Sequence, residues 1–194
     1  MLSTFPEEKL DPRVKRTRQL LEHAFSEAIS ENGFQGISVQ DITERAGVNR
    51  ATFYAHFEDK YALLDYSIRQ GFRQEIEKRM LSVCSFSMDN LRNLIVAVGE
   101  YLVTVNSHCK PANPQFELLV ENQVRGQLQE ILLKWTEQNE CEVSAKTAAT
   151  AASWSLYGLA LQWSHEKKKV PAEQFANDVL PLIAWNLKLK EAAV

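Results

Sequence analysis

Apolar residues recur along most of the chain at steps of three, four and seven positions, the spacing that aligns side chains on one face of an α-helix. The first such segment, residues 13–32, carries Val14, Leu21, Ala24, Phe25 and Ala28 at these steps. The alternation of apolar and polar residues that is typical of strands is nearly absent. The pattern therefore predicts an all-α protein of about nine helices.

Glycines and capping residues divide the N-terminal part into three helices. Gly33 is expected to end the first, because glycine adopts a left-handed backbone easily. Ser38 is expected to cap the second helix, with Asp41 at its positive end, and Gly47 to end it. Asn49 is expected to cap a third helix that reaches about residue 56.

Longer helices are predicted after residue 58. Gly71 is expected to mark a bend in the first of them, and Pro181 to kink the last, because proline cannot donate a helical hydrogen bond. These helices are predicted over residues 59–80, from residue 89 to about 105, and over residues 115–138, 144–166 and 171–190.

Composition limits the classes of function. The 194 residues are 45% hydrophobic, with no apolar run long enough to span a membrane and no signal-peptide pattern at the start, so a cytoplasmic protein is expected. The net charge of -3 argues at first against nucleic acid. The segment "RVKRTR", residues 13–18, nevertheless concentrates four bases without an acid, and charge placement matters more than the total. Taken alone, this segment is more simply explained as a solvated helix start.

Catalytic and metal-binding patterns are missing from the sequence. There is no phosphate-binding glycine loop and no GxSxG motif, and neither the cysteines nor the histidines have the spacing of metal ligands. We therefore expect no catalytic residue, no metal, no cofactor and no enzymatic activity. The residues considered are Cys84, Cys109, Cys141, His23, His56, His108 and His165.

The predicted second and third helices, joined by a short turn through Gly47, form a helix-turn-helix motif. In this motif the second helix enters the major groove of DNA. Phe53 and Phe57 are four residues apart and should point inward together. Arg50 and Tyr54 should project forward, where the guanidinium can reach guanine or phosphate and the phenol can donate to phosphate.

The stretch "ISVQDITERAGVNRATFYAHFEDKYALL" resembles the DNA-binding region of TetR/AcrR-family transcriptional regulators. The resemblance implies a homodimer whose three N-terminal helices bind DNA, with about six further helices as the core, and in most members repression that a small molecule releases. Ala51 and Ala55 depart from residues that are frequent in the family. The matching positions are Ile42, Ala46, Gly47, Val48, Thr52, Phe53, Tyr54, His56, Phe57, Lys60, Leu63 and Leu64.

The motif and the resemblance together predict the organisation and the DNA contacts. Residues 1–58 are expected to form the DNA-binding domain, and residues 59–194 a helical effector-binding and dimerisation domain. The expected partners are a double-stranded DNA operator, a second copy of the chain and a small-molecule effector, with no membrane. The candidate DNA contacts are Arg13, Lys15, Arg16, Ser38, Asn49, Arg50, Ala51, Thr52, Tyr54, His56 and Lys60.

Small residues in the segment 144–163 permit close approach between helices. Given the resemblance, we expect the last two helices to form a four-helix interface with their copies, although packing within the chain explains the pattern as well. The candidate interface residues are Ala148, Ala152, Ser155, Gly158, Phe175, Val179, Leu182 and Ile183.

An effector pocket is expected among the middle helices, where polar groups lie on otherwise apolar faces. Ordinary core packing is the alternative for each aromatic residue. A DNA-binding protein of the same fold without a metabolite, such as an architectural or division-linked factor, is the alternative function. The candidate pocket residues are Phe72, Tyr101, His108, Phe116, Gln123, Trp154 and Tyr157.

Overall fold

The computed structural model describes residues 11–79, 85–108, 114–139 and 143–188. Within these ranges all regular structure is helical, which confirms the predicted all-α class, and eight helices are present. The three cysteines lie outside the described residues. The helices are α1 Pro12–Asn32, α2 Val39–Ala46, α3 Arg50–Tyr54, α4 Lys60–Arg79, α5 Met88–His108, α6 Pro114–Glu137, α7 Ala145–His165 and α8 Ala172–Leu187.

The ends of α1 to α3 follow the predicted capping residues. Gly33 ends α1 with φ 68°, and Gly47 ends α2 in the left-handed conformation. Ser38 and Asp41 form a reciprocal capping box at the start of α2. The side chain of Asn49 accepts a hydrogen bond from the backbone N–H of Thr52 at 2.7 Å and so caps α3. Local sequence alone therefore sets these boundaries.

Helix α3 is shorter than expected. It ends at Tyr54 rather than near His56. The backbone N–H groups of His56 and Phe57 both donate to the carbonyl of Phe53 at 2.9 Å, which tightens the chain into a turn beyond the helix. Phe57 is thereby brought back under α3, where its ring lies 5.9 Å from that of Phe53.

Helix α4 is continuous through Gly71, where a bend was expected. A Cβ atom at this position would lie 3.3 Å from the ring and the hydroxyl of Tyr101, which belongs to α5. The absence of a side chain at Gly71 therefore allows α4 and α5 to approach each other closely. Helix α8 likewise continues past Pro181 to Leu187, and Lys188 ends it with φ 51°.

Helix α5 is the central helix of the larger C-terminal part. It lies against α4, α7 and α8, while α6 packs against α4 and α7. Its residues from 94 to 99 are buried without a polar face, as expected for a helix enclosed by others. Gly99 leaves room for Trp163, whose ring stacks on Phe175 at 4.9 Å. None of the helices in the described ranges is both long and apolar enough to cross a membrane.

Candidate nucleic-acid interface

Helix α3 has one buried and one exposed side. Phe53 is fully buried and Phe57 nearly so, whereas Tyr54 is 50% exposed and Arg50 and Ala51 are exposed. Tyr54 stands edge-on to Phe53, with ring centroids 5.5 Å apart. The helix is therefore held from behind by aromatic packing and presents its other side to the surroundings.

Arg50 and Tyr54 form the polar centre of the exposed side. A guanidinium nitrogen of Arg50 lies 3.5 Å from the Tyr54 hydroxyl, one helical turn away. The guanidinium offers a planar fork of donors that suits guanine or phosphate, and the hydroxyl offers one further donor. The two side chains can therefore engage adjacent groups of a nucleic acid.

Two of the predicted DNA-contact residues, Ser38 and Asn49, form hydrogen bonds that cap helices. The Asn49 side-chain oxygen accepts from both the backbone N–H and the hydroxyl of Thr52, at 2.7 and 2.9 Å. The Ser38 hydroxyl donates to the Asp41 carboxylate at 2.7 Å, and this bond helps to lower the pKa of Asp41. Side-chain contacts from Ser38 and Asn49 to DNA would therefore compete with the caps that start α2 and α3.

The basic segment of α1 has an exposed and a packed part. Arg13, Lys15 and Arg16 are exposed and available to a polyanion. The guanidinium of Arg18 instead lies 5.8 Å from the ring centroid of Phe57 and 5.3 Å from that of Tyr66. The predicted contacts did not include Arg18, whose place in a basic run gives no sign of this packing.

The surroundings of His56 favour its neutral imidazole. Burial and then the positive charge of Arg18 lower the pKa of His56 below its ordinary value of 6.5. In its neutral form the ring can donate one hydrogen bond to a phosphate and brings no positive charge. A neutral His56 would therefore contact a phosphate through a hydrogen bond alone, unlike a charged lysine or arginine.

The Lys60 ammonium makes contacts within the protein. Its ammonium donates to the backbone carbonyls of Phe34 and Ile37, at 3.1 and 2.8 Å, and lies 4.7 Å from the centre of the Phe34 ring. Burial lowers the pKa of Lys60 from its ordinary value. Two of the three ammonium donors are thus used within the protein, and the DNA contact of Lys60 stays a prediction.

An ion pair joins α2 to α1. One guanidinium nitrogen of Arg45 donates to a Glu31 carboxylate oxygen at 2.8 Å, the other nitrogen pairs with the second oxygen, and Glu27 lies 3.7 Å away. The Arg45 hydrogen bond lowers the pKa of Glu31. Sequence reasoning missed this pair. The spacing of Glu27 and Glu31, one turn apart on α1, is the signal that was available.

The candidate pocket residues take part in several different contacts. Phe72 and Tyr101 pack together at 5.2 Å, and the Tyr101 hydroxyl donates to the Ile68 carbonyl. Phe116 lies instead against Phe34, at the junction with the DNA-binding helices. Trp154 is 49% exposed. The side chain of His108 is outside the described residues.

The other two pocket candidates have partners on neighbouring elements. Gln123 donates to Asp65 at 2.6 Å and so links α6 to α4. Tyr157 is buried, and burial followed by the charges of Glu121 and Glu117 raises the pKa of Tyr157 to about 12. Among the described residues, no group of three or more histidine, cysteine or acidic side chains could hold a metal ion.

The candidate interface residues divide into buried and exposed sets. Gly158 is exposed, Leu182 is 56% exposed and Ser155 is half-buried. The others are buried by the chain's own packing in this conformation, and their part in a dimer interface stays a prediction. These buried residues are Ala148, Ala152, Phe175, Val179 and Ile183.

Two capped helices joined by a short left-handed turn, the second exposed on one side, define a helix-turn-helix DNA-binding protein. Residues 21–66 match the family model described as "Bacterial regulatory proteins, tetR family". Residues 21–66 are therefore similar to the DNA-binding region of TetR-family transcriptional regulators.

Three comparisons show how far this similarity extends. An uncharacterized HTH-type transcriptional regulator, YxbF of Bacillus subtilis, is 38% identical over 72 residues, which are 37% of this chain and 19% of that protein. The HTH-type transcriptional repressor DhaR of Mycobacterium sp. is 26% identical over 178 residues, 81% of this chain and 87% of that protein. The fold is shared with FadR of Bacillus subtilis, solved in complex with stearoyl-CoA, at TM-score 0.57 and 20% identity over 85% of this chain and 96% of FadR.

Proposed function

We propose that this regulator acts as a homodimeric repressor that binds a near-palindromic operator and is released by a small molecule. The observation that carries the proposal is the exposure of Arg50 and Tyr54 on a helix whose other side is locked in place by Phe53. A rigid element that presents donors is what base and phosphate contacts require. The relative that is similar over most of its length, DhaR, is named a repressor.

The proposed dimer would use the outer sides of α7 and α8. Leu182 is 56% and Trp185 68% exposed on α8, and Trp154 is 49% exposed on α7. Leu182 and Trp185 are three positions apart on one side of α8, and exposed apolar patches of this kind are typical of protein interfaces. Gly158, also exposed, has open space around its backbone and would allow a close helix approach.

The proposed effector site lies in the helical part from residue 59 onward, while residues 1–58 form the proposed DNA-binding domain. Buried polar groups support this site. The Ser67 hydroxyl is buried without a hydrogen-bond partner, and Gln127 is 5% exposed. Asp65 and Gln123 add a polar contact between α4 and α6. FadR of Bacillus subtilis, which shares the fold, was solved with stearoyl-CoA.

Selection of binding sites from a pool of random DNA duplexes, followed by footprinting, tests the proposal. A two-fold dimer presents two α3 helices, so the selected sites should contain two inverted half-sites about one helical turn apart. A single asymmetric half-site, found repeatedly, would exclude the dimeric mode.

Mapping of the binding sites in the genome then identifies the regulated genes, whose products suggest the effector to test. Release of the selected duplex by that compound would support ligand control. A regulator that no metabolite of those genes releases would instead fit the alternative of a DNA-binding protein without a ligand.

A further inference from the structure

Helices α6 and α7 lie side by side and run in opposite directions. The Gln129 side chain donates to the Thr150 hydroxyl at 3.0 Å, and the Arg125 guanidinium lies 4.1 Å from the centre of the Trp154 ring. Each step forward along α7 is therefore matched by a step back along α6. When this register is continued, the last turn of α7, which holds Ser164, lies beside the first turn of α6.

The first turn of α6 borders the DNA-binding helices. The Tyr61 hydroxyl donates to Gln115 at 3.2 Å, and the ring of Phe116 lies 6.4 Å from that of Phe34. Phe34 belongs to the loop before α2, and Tyr61 to the first turn of α4. The end of α7 and the turn that follows it therefore lie at the end of the helical part that carries the helix-turn-helix.

The turn between α7 and α8 is held by hydrogen bonds at its base. The indole N–H of Trp163 donates to the Val170 carbonyl at 3.1 Å. The Lys169 ammonium donates to the carbonyls of Ser164 and Glu166, at 3.0 and 3.1 Å. Carbonyl groups at the end of a helix have no helical partner, and a lysine can supply the missing donors. Lys169 therefore closes the turn, and the residues at the tip of the turn are held in place.

Lys167 and Lys168 form the tip of this turn, and both are exposed. Among the residues that the structure describes, neither ammonium is paired with a carboxylate. Residues 166–170 hold three lysines against one acidic residue, Glu166, in a chain whose net charge is -3. A local excess of positive charge on an acidic protein indicates a polyanion as its partner.

We propose that Lys167 and Lys168 bind phosphates of the DNA duplex that α3 engages, and so form a second DNA contact outside the helix-turn-helix. This inference rests on the proposed function. In the proposed dimer α7 and α8 meet their copies, which brings the two turns together between the two helix-turn-helix motifs. The phosphates in contact are therefore those between the two half-sites. Such contacts add affinity and fix the register of the protein on DNA without reading its sequence.

The salt dependence of binding to the duplex found by site selection tests this contact. Each neutralised phosphate contributes about 0.9 to the slope of log affinity against log salt concentration. The double variant Lys167→Gln, Lys168→Gln should reduce this slope by about 1.8 per chain, twice that contribution. Lys134→Gln with Lys146→Gln removes the same charge from exposed positions at the opposite end of α6 and α7, and should keep the wild-type slope.

Three outcomes of this experiment would count against the contact in different ways. An unchanged slope in Lys167→Gln, Lys168→Gln would overturn the proposal and leave the proposed function standing. An equal reduction in both double variants would also overturn it, because the effect would then reflect net charge alone. Failure of the wild-type chain to bind any duplex would refute the proposed function, and the second contact with it.

Acetylation of lysines in the wild-type chain tests the same contact without a variant. A saturating amount of the duplex should protect Lys167 and Lys168 from modification, whereas Lys134 and Lys146 should react as in the free chain. Unchanged modification of all four lysines would overturn the proposal. Protection of the turn by vesicles that contain phosphatidylserine, without protection by the duplex, would also overturn it and assign the turn to a lipid surface.

Discussion

The ring of Phe34, in the loop between α1 and α2, packs against the ring of Phe116, in the first turn of α6, with centroids 6.4 Å apart. The neighbouring residue Gln115 accepts a hydrogen bond from the Tyr61 hydroxyl at 3.2 Å. The start of α6 thus contacts both the loop that precedes α2 and the first turn of α4. A shift of α6 would displace the loop before α2 and so the helix-turn-helix, because closely packed side chains transmit displacement.

Arg50→Ala should weaken binding to a selected operator by about 1–3 kcal/mol and relax the preference at one base position, if the guanidinium reads a base. Tyr54→Phe removes only a hydroxyl and should cost less. Competition binding against duplexes changed at single positions measures both effects. Equal weakening of every duplex by Arg50→Ala would show that Arg50 contacts the backbone alone.

Gly71→Ala should lower the free energy of unfolding by about 1 kcal/mol, because the added methyl group meets a Tyr101 ring that cannot easily move. The ring is anchored by its hydroxyl on the Ile68 carbonyl at 2.9 Å. Gly126→Ala is the matched control, since its Cβ would meet no atom within 4 Å and α6 should gain up to about 1 kcal/mol. Urea denaturation measures both, and a stabilised Gly71→Ala would contradict the close approach.

Trp185→Glu should convert the proposed dimer into a monomer, because it places a charge in the apolar surface formed with Leu182. Sedimentation velocity measures the change. Leu118→Glu is the control, since Leu118 is 56% exposed on α6, a helix that is not part of the proposed interface. A Trp185→Glu variant that remained dimeric would direct the search for the interface to another surface.

Glu22 gives the stability a distinctive pH dependence. Burial raises the pKa of Glu22 from 4.5 to about 7. Because the folded-state pKa is the higher one, the stabilisation is complete below pH 4.5 and is lost as pH rises through about 7. The Glu22→Gln variant should therefore be more stable than the wild type at pH 8 by about 1–2 kcal/mol, a value reduced for the partial exposure of the side chain.

Denaturant unfolding between pH 5 and 8 measures this dependence, with Glu130→Gln as the control at an exposed position of α6. The free energy of unfolding should fall with rising pH less steeply in Glu22→Gln than in the wild type. Parallel curves for the two proteins would show that Glu22 is ionised in the folded state.

The sequence by itself determined those features that depend on neighbours within about four positions. Ser38 with Asp41, Gly47 and Asn49 mark helix ends through hydrogen bonds and backbone angles that each segment forms on its own. The same local spacing places Phe53 on the buried side of α3. These features identified the helix-turn-helix and the all-α class, because a helix brings residues three and four apart onto one face whatever surrounds it.

Only the tertiary structure decided which partner each long or small side chain meets. The Lys60 ammonium donates to the carbonyls of Phe34 and Ile37, which lie more than twenty positions away in the sequence. Ala148 and Ala152 face the chain's own core, although their small size fits an interface between copies equally well. Periodicity shows that a face is apolar but not which element covers it, since that depends on how helices distant in sequence pack together.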